Sequence, residues 1–486
     1  MNITEKEISS TKVTVMGLGL HGGGTTAARF FASLGAQVTV TDLKTEEMLA
    51  PSLEQLKDYT IRYVLGKHEA SDFSEADLVI KNPAVPGSSP FLKLSRQVET
   101  DLSIFLNLSS RPVIAVTGSK GKSTTATAIY EVLKSEYPGT NLGGNITVSP
   151  LNFLQTGSFR ELRIHTKREL TVYTLGGHKP VESPIPQHDP VILEVSSWQL
   201  ADLRNKDVLK PVIAIITNIL PDHQDRYRNL DEYADDKRII FANQGHGDFT
   251  ICNYDDEYGR SFANETKARV FYFSKKRLPE TLEGGWLEDE IGYVRRGTET
   301  ISILPDALIV PGEHNKINLL SAGVALYLLG LKQECILAGF KNFKGLEHRL
   351  EKVRKKKGVT FFNDSAATIP QATVSAVLSL ACPIHLIIGG TDKNLDFSVL
   401  KAVLKLPKCI YLLDGTAAEK IRRVLQAENI HYTGSFNALV EAVTVAYANA
   451  EPGEAVLFSP GCASFGMFLN EFDRGKKFKE IVNALG

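Results

Sequence analysis

The stretch PVIAVTGSKGKSTTATAIYEVL, residues 112–133, reads as an apolar strand, a glycine-rich loop and a helix. The backbone N–H groups of such a loop, together with the N-terminus of the helix, form a binding site for anions such as phosphate. Lys122 is placed to reach the outer phosphates of a nucleotide, and the Ser123 hydroxyl to reach Mg²⁺. The spacing G-x-x-G-K-S is two residues shorter than the common phosphate-loop pattern. The stretch predicts a nucleoside-triphosphate site in an α/β domain, with an ordinary helix start as the alternative.

A second glycine loop lies near the start of the chain, in VTVMGLGLHGGG, residues 13–24. Gly17, Gly19 and Gly22 give the spacing G-x-G-x-x-G, and Asp42 ends the next strand-like run. Alone, this pattern indicates a dinucleotide-dependent oxidoreductase. Because the loop at 118–123 already predicts a nucleoside triphosphate, we expect the first domain to hold another phosphate-bearing molecule. The oxidoreductase stays as the alternative hypothesis.

Polar residues follow three strand-like runs of the central block, at the point where each run ends. The first run leads to Lys122 and Ser123, and the second, PVILEV, ends at Glu194. The third, PVIAIITN, is followed by further donors, namely Asn218, Asp222, His223 and Asp225. Because ligands bind outside the carboxyl ends of parallel strands, we expect these groups to meet around a triphosphate and Mg²⁺. A structural role for His223 is the alternative.

A lysine interrupts the apolar face of the helix predicted over NLDEYADDKRIIFANQ, residues 229–244. Lys237 follows Tyr233 by four residues and precedes Ile240 by three, so all three share one face. The lysine either reaches solvent from the edge of the core or points into the site.

The third block shows the same pattern of polar strand ends. Its strand-like runs are followed by small, polar and cationic residues, namely Asp364, Ser365, Thr368, Gly389, Gly390, Asp392, Lys393, Ser459 and Ser464. Such groups suit a small charged substrate such as an amino acid. The basic run KVRKKKG, residues 352–358, is expected to be a solvated turn between two strands.

Length and composition indicate a protein of about three domains. Strand-like and helix-like stretches alternate along the 486 residues, which predicts α/β architecture with mainly parallel sheets. We place the domains at 1–108, 109–310 and 311–486, with a charged, Gly/Pro-rich surface excursion at about 155–190. The net charge of −1 argues against a nucleic-acid or anionic-membrane protein. Five cysteines without a C-x-x-C pair, and a start without an apolar signal segment, predict a soluble cytoplasmic protein.

Taken together, the motifs resemble those of the Mur ligases, and within them the branch that adds D-glutamate. The resemblance covers nearly the whole chain except the excursion. It rests on GLGLHGGG, AVTGSKGKSTT, GGNITVSPL, LEVSSWQL, TNILPDHQDRY, PGEHNKINLLSA, GLEHRLE, NDSAATIPQAT, GGTDKNLDF and SPGCASFGMFLNEFDRG, in that order.

The resemblance implies a Rossmann-like N-terminal domain for a UDP-sugar, a central P-loop ATPase-like domain and a Rossmann-like C-terminal domain for an amino acid. It implies a monomer that ligates D-glutamate to UDP-N-acetylmuramoyl-L-alanine in peptidoglycan precursor synthesis, using ATP and two Mg²⁺ ions. A non-catalytic nucleotide-binding regulator is a further alternative, against which the intact Lys122, Glu194, His223 and Lys237 argue.

The resemblance also implies roles for individual residues. For ATP it implies Gly118, Ser119, Lys120, Gly121, Lys122, Ser123, Thr124, Asn253, Arg349 and Asp364. For metal and catalysis it implies Ser123 and Glu194 at one Mg²⁺, His223 and a carbamylated Lys237 at a second, and Lys122 on the transferred phosphate. For the UDP-sugar it implies Leu20, His21, Leu43, Lys44, Ala84, Asn145 and His223. For the amino acid it implies Thr368, Lys393, Ser464 and Phe465.

Overall fold

The computed structural model describes residues 10–20, 22–146, 148–154, 189–221, 227–393, 395–464, 466–468 and 470–486, and the backbone of 161–165 and 170–174. Its contacts divide the chain into two compact units. The first comprises Met1–Asp306 with Ile317–Phe340, and the second comprises Ala307–Lys316 with Lys341–Gly486. The segment Ile317–Phe340 thus packs with the first unit, and the three domain boundaries stay predictions.

The first sheet of the first unit is five-stranded and parallel, in the order β3-β2-β1-β4-β5. Its strands are β1 Lys12–Met16, β2 Gln37–Asp42, β3 Ile61–Leu65, β4 Leu78–Lys81 and β5 Val98–Glu99. Its helices are α1 Gly23–Ser33, α2 Glu46–Glu54, α3 Ala70–Ser74 and α4 Asp101–Leu108. The chain order reverses between β1 and β4, so the glycine loop after β1 lies at the switch point where such sheets bind ligands.

The second sheet is nine-stranded, in the order β16-β15-β14-β13-β12-β11-β6-β10-β7. The strands of this part of the chain are β6 Val113–Thr117, β7 Asn141–Gly144, β8 Glu161–His165, β9 Leu170–Thr174, β10 Val191–Glu194, β11 Ile213–Ile216, β12 Phe249–Asn253, β13 Arg269–Ser274, β14 Gly284–Glu288, β15 Ile291–Arg296 and β16 Glu299–Leu304. The run from β7 to β14 in the sheet is parallel, and β15 and β16 add antiparallel strands at one edge. β8 and β9 pair antiparallel with each other, which places a hairpin inside the predicted excursion.

Helices α5 to α10 belong to this part of the chain. They are α5 Lys122–Glu136, α6 Ser197–Asp202, α7 Leu230–Arg238, α8 Glu257–Glu265, α9 Glu313–Leu328 and α10 Gln333–Asn342. The strands β6, β10 and β11 are mostly apolar and are buried at every position because the sheet is covered on both faces. The carboxyl ends of these three adjacent parallel strands therefore lie side by side at one edge of the sheet.

The second unit holds a six-stranded sheet in the order β17-β18-β22-β19-β20-β21, parallel except for β17. Its strands are β17 Glu351–Lys356, β18 Val359–Asn363, β19 Ile384–Gly389, β20 Cys409–Leu413, β21 Thr433–Phe436 and β22 Ala455–Phe458. Its further helices are α11 Pro370–Leu378, α12 Ala418–Ala427, α13 Leu439–Asn449 and α14 Glu471–Ala484. Alternate strand residues supply two cores: Leu386 and Leu412 pack on one face, and Ile387 and Tyr411 on the other.

The basic run 352–358 differs from its prediction as a solvated turn. Most of it is the edge strand β17, and only Lys357 and Gly358 turn. Arg354 donates from Nη1 to the carbonyls of Val482 (3.2 Å) and Asn483 (3.0 Å), at the end of α14. The Arg354 guanidinium thus stabilises the carbonyl end of α14, where positive charge is favourable.

The α/β fold class and the parallel sheets predicted from the sequence are confirmed. No helix in the described part of the chain is both long and apolar enough to cross a membrane.

Candidate active site

The phosphate loop predicted at residues 118–123 connects β6 to α5, and two of its positions require glycine. Gly118 has a φ of +142°, and an added Cβ would lie 1.9 Å from Thr217 Oγ1. Gly121 precedes the helix with a φ of +88°, and an added Cβ would lie 2.2 Å from Asn318 Oδ1. Side chains at either position would clash with neighbouring elements and strain the backbone. The loop is therefore packed tightly against Thr217 and Asn318.

The end of the neighbouring strand β11 holds the loop in place. The Asn218 side chain accepts from the Lys120 N–H (2.9 Å), and its carbonyl accepts from the Ser119 N–H (2.8 Å). Thr217 Oγ1 donates to the Lys120 carbonyl (2.6 Å), and Ser119 Oγ donates to the Leu220 carbonyl (3.0 Å). Asn218, which the sequence placed at a strand end, thus acts on the loop rather than pointing away from it.

The two predicted phosphate-binding side chains lie on the first turn of α5. Lys122 Nζ donates to the carbonyls of Gly118 (2.8 Å) and Ser119 (3.0 Å), so the ammonium lies over the loop. Ser123 and Thr124 follow it and are half-buried. The helix N-terminus, the loop amides and the lysine together present a positive surface, which suits a polyphosphate.

Glu194 ends β10, the strand next to β6, and its carboxylate is buried (2% exposed). Oε1 accepts from Asn145 Nδ2 at 2.8 Å, on the loop that follows β7. Oε2 is buried and has no hydrogen-bond partner among the described residues. A buried carboxylate oxygen without a partner is costly unless a cation or donor satisfies it. Glu194 therefore fits a ligand of Mg²⁺, a cation that prefers oxygen donors.

Lys237 lies on α7 and is 1% exposed, so it does not reach solvent from the edge of the core. Its Nζ donates to the Gly118 carbonyl (3.0 Å) and to Thr117 Oγ1 (3.3 Å). The ammonium also lies 4.5 Å from the centre of the Tyr233 ring. Of the two alternatives from the sequence, the structure has the lysine pointing towards the phosphate loop.

His223 lies outside the described residues, as do Asp222 and Asp225. Asn253, at the end of β12, donates from Nδ2 to the Thr217 carbonyl (2.9 Å), so it borders the strand that supports the loop. Of the predicted metal ligands, the described residues therefore include Ser123, Glu194 and Lys237.

In the first sheet, Asp42 binds the glycine loop itself. Its Oδ2 accepts from the Gly19 N–H (3.1 Å) and its Oδ1 from the Lys44 N–H (2.9 Å). In a dinucleotide-dependent enzyme the acid at this place binds the ribose hydroxyls. Asp42 is buried and already occupied by backbone donors, which weighs against the oxidoreductase hypothesis.

Four residues predicted for the UDP-sugar lie in this loop or in the segments that follow β2 and β4, while Asn145 lies after β7 in the second sheet. Leu20 and Leu43 are exposed, at 39% and 68%, and Lys44, which follows Leu43, is half-buried. Ala84 follows β4, and its N–H donates to Asn82 Oδ1 (3.0 Å). His21 lies outside the described residues. The exposed leucines leave apolar surface free beside the switch point.

In the second unit, Asp364 directly follows β18 and is buried. Its Oδ1 accepts from the Leu350 N–H (3.1 Å) and its Oδ2 from Ser459 Oγ (2.6 Å). Burial raises the pKa of this carboxyl to about 7, against the lowering effect of those hydrogen bonds. Arg349 lies beside Leu350 and is exposed, and Thr368 is half-buried in the loop after Asp364. Two of the predicted nucleotide residues of this unit thus lie close together, because Asp364 accepts from the N–H of Leu350, the residue next to Arg349.

A cavity of about 280 Å³ lies at the carboxyl ends of β19 and β20. Ser464, predicted for the amino acid, lines it, while Lys393 is exposed and does not. Phe465 lies outside the described residues. The cavity is further lined by the guanidinium-bearing side chain of Arg474, which the sequence analysis did not select. In a sequence, a basic residue in an amphipathic helix is expected to face solvent. The only sequence signal for a ligand here is the glycine loop GGT, residues 389–391, which lines the same cavity.

The family models that match the chain divide it into three. They are the Mur ligase MurD-like N-terminal domain over residues 11–103, the Mur ligase middle domain over 116–326, and the Mur ligase glutamate ligase domain over 348–462.

Two full-length relatives carry the same name, UDP-N-acetylmuramoylalanine–D-glutamate ligase. The protein of Borreliella afzelii is 42% identical over 99% of both chains, and that of Treponema pallidum is 35% identical over 97% of both. Among solved structures, the UDP-N-acetylmuramate–alanine ligase of Thermotoga maritima aligns with a TM-score of 0.59 at 18% identity, covering 98% of this chain and all of that one. The MurF ligase of the same organism, in complex with ADP, aligns at 0.53 and 16% identity, covering 99% of this chain and 97% of that one. These structural likenesses show the shared fold.

Proposed function

Because the chain belongs to the Mur ligase family, whose members carry out ATP-dependent ligation in peptidoglycan precursor synthesis, we propose that it joins D-glutamate to UDP-N-acetylmuramoyl-L-alanine. The observation that carries the proposal is that Lys122 and Lys237 both donate to the Gly118 carbonyl just after β6, beside the strand β10 that ends at Glu194. Two full-length relatives with this printed name support the choice of amino acid.

The reaction has to turn a poor electrophile into a good one. A carboxylate resists attack by an amine at neutral pH. We propose that the terminal carboxylate of the UDP-sugar substrate attacks the γ-phosphorus of ATP, which breaks the bond to ADP and forms an acyl phosphate. The amine of D-glutamate then adds to the acyl carbon, and the tetrahedral intermediate expels inorganic phosphate to leave an amide. The protein chiefly aligns the groups and stabilises the charge that develops.

Among the protein's own groups, those of the phosphate loop would stabilise the charge of the phosphates. The amides of the loop and the N-terminus of α5 would hold the β- and γ-phosphates, and Lys122 would lie on the phosphoryl group that transfers. Asn218 accepts from the Lys120 N–H and Thr217 donates to the Lys120 carbonyl, so the loop backbone is held in place before substrate arrives. Asn253, Arg349 and Asp364 are proposed to contact the rest of the nucleotide.

Two Mg²⁺ ions are part of the proposal. Ser123 and Glu194 would hold one, and the unsatisfied Oε2 of Glu194 supports this. When bound, the ions neutralise phosphate charge and orient the reacting oxygens. For the second we propose His223 and a carbamylated Lys237. The lysine ammonium would first lose a proton, and the amine would then react with CO₂ to form a carbamate and release a second proton, which converts a buried cation into an oxygen-donating anion.

The remaining substrates are assigned to the outer domains. We propose that the glycine loop after β1, with Leu20, His21, Leu43, Lys44 and Ala84, holds the uridine diphosphate, and that Asn145 and His223 contact the muramoyl part. Asn145 is tied to Glu194 at 2.8 Å, which supports a link between sugar binding and the metal ligand. Thr368, Lys393, Ser464 and Phe465 are proposed for the amino acid. We further propose that the enzyme works in the cytoplasm as a monomer.

Release of phosphate from ATP tests this function when each substrate is left out in turn. Phosphate release is expected to need both UDP-N-acetylmuramoyl-L-alanine and D-glutamate, with L-glutamate and other amino acids offered in parallel. Release that is indifferent to either substrate would overturn the proposal, and turnover with a different amino acid would correct its substrate.

A further inference from the structure

A buried lysine ends the strand that leads to the turn beside the first glycine loop. Lys81 is the last residue of β4 and is 3% exposed. It takes no part in the proposed substrate or metal sites. A buried ammonium is costly unless it is paired and hydrogen-bonded, so its partners indicate which parts of the molecule it holds.

The Lys81 ammonium holds the turn at residues 82–85, called turn 82–85 below. Its Nζ donates to the Val85 carbonyl at 2.9 Å and, at the longer distance of 3.4 Å, to the Asn82 carbonyl. Within the turn, the Ala84 N–H donates to Asn82 Oδ1 (3.0 Å) and the Val85 N–H to the Asn82 carbonyl (2.9 Å). The carbonyls that begin and end the turn thus converge on one ammonium.

Turn 82–85 packs directly on the glycine loop after β1. A Cβ added at Gly17 would lie 3.0 Å from Asn82 Cβ and 3.2 Å from Val85 Cγ2. The Asn82 N–H donates to the Met16 carbonyl (2.9 Å), so the turn and the loop leave the sheet side by side. Because protein interiors are close-packed, a shift of the turn would displace the loop that is proposed to hold the uridine diphosphate.

The charged partner of Lys81 lies beyond the first sheet, on α6. The ammonium lies 2.8 Å from Oδ2 of Asp202, the last residue of that helix. Helix α6 begins three residues after Glu194, and Ser196 caps it by accepting from the Gln199 N–H (3.3 Å). The two paired side chains are 4% and 13% exposed, so salt screens their attraction little. One ammonium thus connects turn 82–85 to the short helix that follows the proposed metal ligand.

The segment between Glu194 and α6 is itself fixed to β6. The Val195 N–H donates to the Val116 carbonyl (2.9 Å), and Thr117 Oγ1 donates to the Val195 carbonyl (2.8 Å). The start of α6 is therefore tied to the strand that leads into the phosphate loop. A chain of direct contacts runs from the first glycine loop through turn 82–85, Lys81 and Asp202 to this strand.

We propose that Lys81 and Asp202 are positioning residues for the reaction. Lys81 gives turn 82–85 the shape that receives the UDP-sugar, and Asp202 sets the distance of that turn from Glu194 and the phosphate loop. The inference rests on the proposed function, in which the carboxylate of the UDP-sugar has to meet the γ-phosphate of ATP. Neither residue is proposed to touch a reacting atom. Their effect is on alignment, where a misplacement of about 1 Å can lower a rate about 100-fold.

Two variants with different readouts separate the two roles. K81M removes the ammonium and with it both bonds to the turn, whereas D202N removes the charge of the partner and leaves the bonds of Lys81 to the turn. Titration calorimetry of the full chain with UDP, in the absence of ATP, reports on the turn and the glycine loop. The kcat of phosphate release, with all three substrates saturating, reports on alignment.

K81M is expected to raise the Kd of UDP about 10-fold, the effect of losing a hydrogen bond to a charged group. D202N is expected to keep the Kd of UDP within about threefold and to lower kcat about 10-fold or more. The KM of ATP is expected to stay within about twofold in both. Unchanged UDP binding in K81M, unchanged kcat in D202N, or an equal rise in the KM of ATP would overturn the proposal.

The matched control is K206M, which breaks another ion pair between the same parts of the unit. Lys206 Nζ lies 2.9 Å from Glu99 Oε2 and donates to the Val98 carbonyl (2.8 Å), on β5 rather than on the turn. K206M is expected to keep both the Kd of UDP and kcat within about twofold of wild type. Losses in K206M as large as those in the other two variants would mean a general weakening of the unit and would overturn the assignment.

Should K81M not fold, D202N carries the test alone, because it keeps the size of the side chain and a hydrogen-bonding oxygen beside Lys81. A kcat equal to that of wild type would still overturn the proposal. Failure of the proposed function looks different, because wild type would then neither bind UDP nor release phosphate in dependence on UDP-N-acetylmuramoyl-L-alanine and D-glutamate.

Discussion

Replacing Glu194 by glutamine tests whether its unsatisfied oxygen is a metal ligand. The amide has the shape of the carboxylate, and its oxygen can still accept from Asn145. The second position keeps a buried polar atom without a partner, but the negative charge is gone. Since an unsatisfied buried group costs about 1–3 kcal/mol and more when charged, E194Q is expected to be as stable as wild type or more so, within about 1 kcal/mol, when no metal is present.

With Mg²⁺ and a non-hydrolysable ATP analogue, wild type should instead be more stable than E194Q. A ligand at 100 times its Kd stabilises the folded protein by about 2.7 kcal/mol, so wild type is expected to gain a thermal shift that E194Q lacks. The two tryptophans, Trp198 and Trp286, both lie in the first unit, so their fluorescence reports its unfolding. Phosphate release by E194Q is expected to fall by about 10²–10³, as when one charge-stabilising group is removed.

The control is E131Q, a change on the exposed face of α5. It is expected to keep both the Mg²⁺-dependent shift and the activity. A metal-free E194Q that is strongly destabilised, or an E194Q that keeps the full Mg²⁺-dependent shift, would refute the assignment of Glu194 as a ligand.

Three further changes probe other parts of the site. G118A should abolish binding of the ATP analogue, because its Cβ would lie 1.9 Å from Thr217 Oγ1 at a φ of +142°; titration calorimetry measures this, and binding within threefold of wild type would contradict the tight packing. K237A should lose most activity and regain part of it with added short carboxylates, whereas a nearly fully active K237A without them would exclude the carbamate. D364N should make the stability of the second unit less dependent on pH. The pKa of Asp364 is raised from 3.8 to about 7, so wild type loses stability as pH rises between these values. Calorimetry at pH 5 and pH 7 measures this loss, and an equal loss in D364N would contradict the assignment.

The fold was predictable where strands are continuous apolar runs. β6, β10 and β11 are buried on both faces, so their sequences are apolar up to the last residue of the strand, and the polar residues Thr117 and Glu194 stand only at the ends of β6 and β10. The antiparallel edge β14–β16 escaped prediction, since its strands alternate or carry glycine and leave charged residues exposed. The run 352–358 was placed in a turn because its cations suggested solvent, whereas an edge strand tolerates them.

The site was predictable where chemistry stands at strand ends, as with Glu194, Asn218 and Asp364. The role of Asp42 was not, because its sequence position fits a ribose-binding acid equally well, and only the bonds to the Gly19 and Lys44 amides distinguish the two. Arg474 was missed because its burial depends on which face of α14 packs against the rest of the second unit. Spacing alone does not record that.

The most direct test of the central claim follows oxygen from the substrate carboxylate. UDP-N-acetylmuramoyl-L-alanine labelled with ¹⁸O in its terminal carboxylate is incubated with ATP, Mg²⁺ and D-glutamate, and the released phosphate is analysed by mass. Activation as an acyl phosphate predicts one ¹⁸O atom in each phosphate formed together with product. Product formed with unlabelled phosphate would contradict the account.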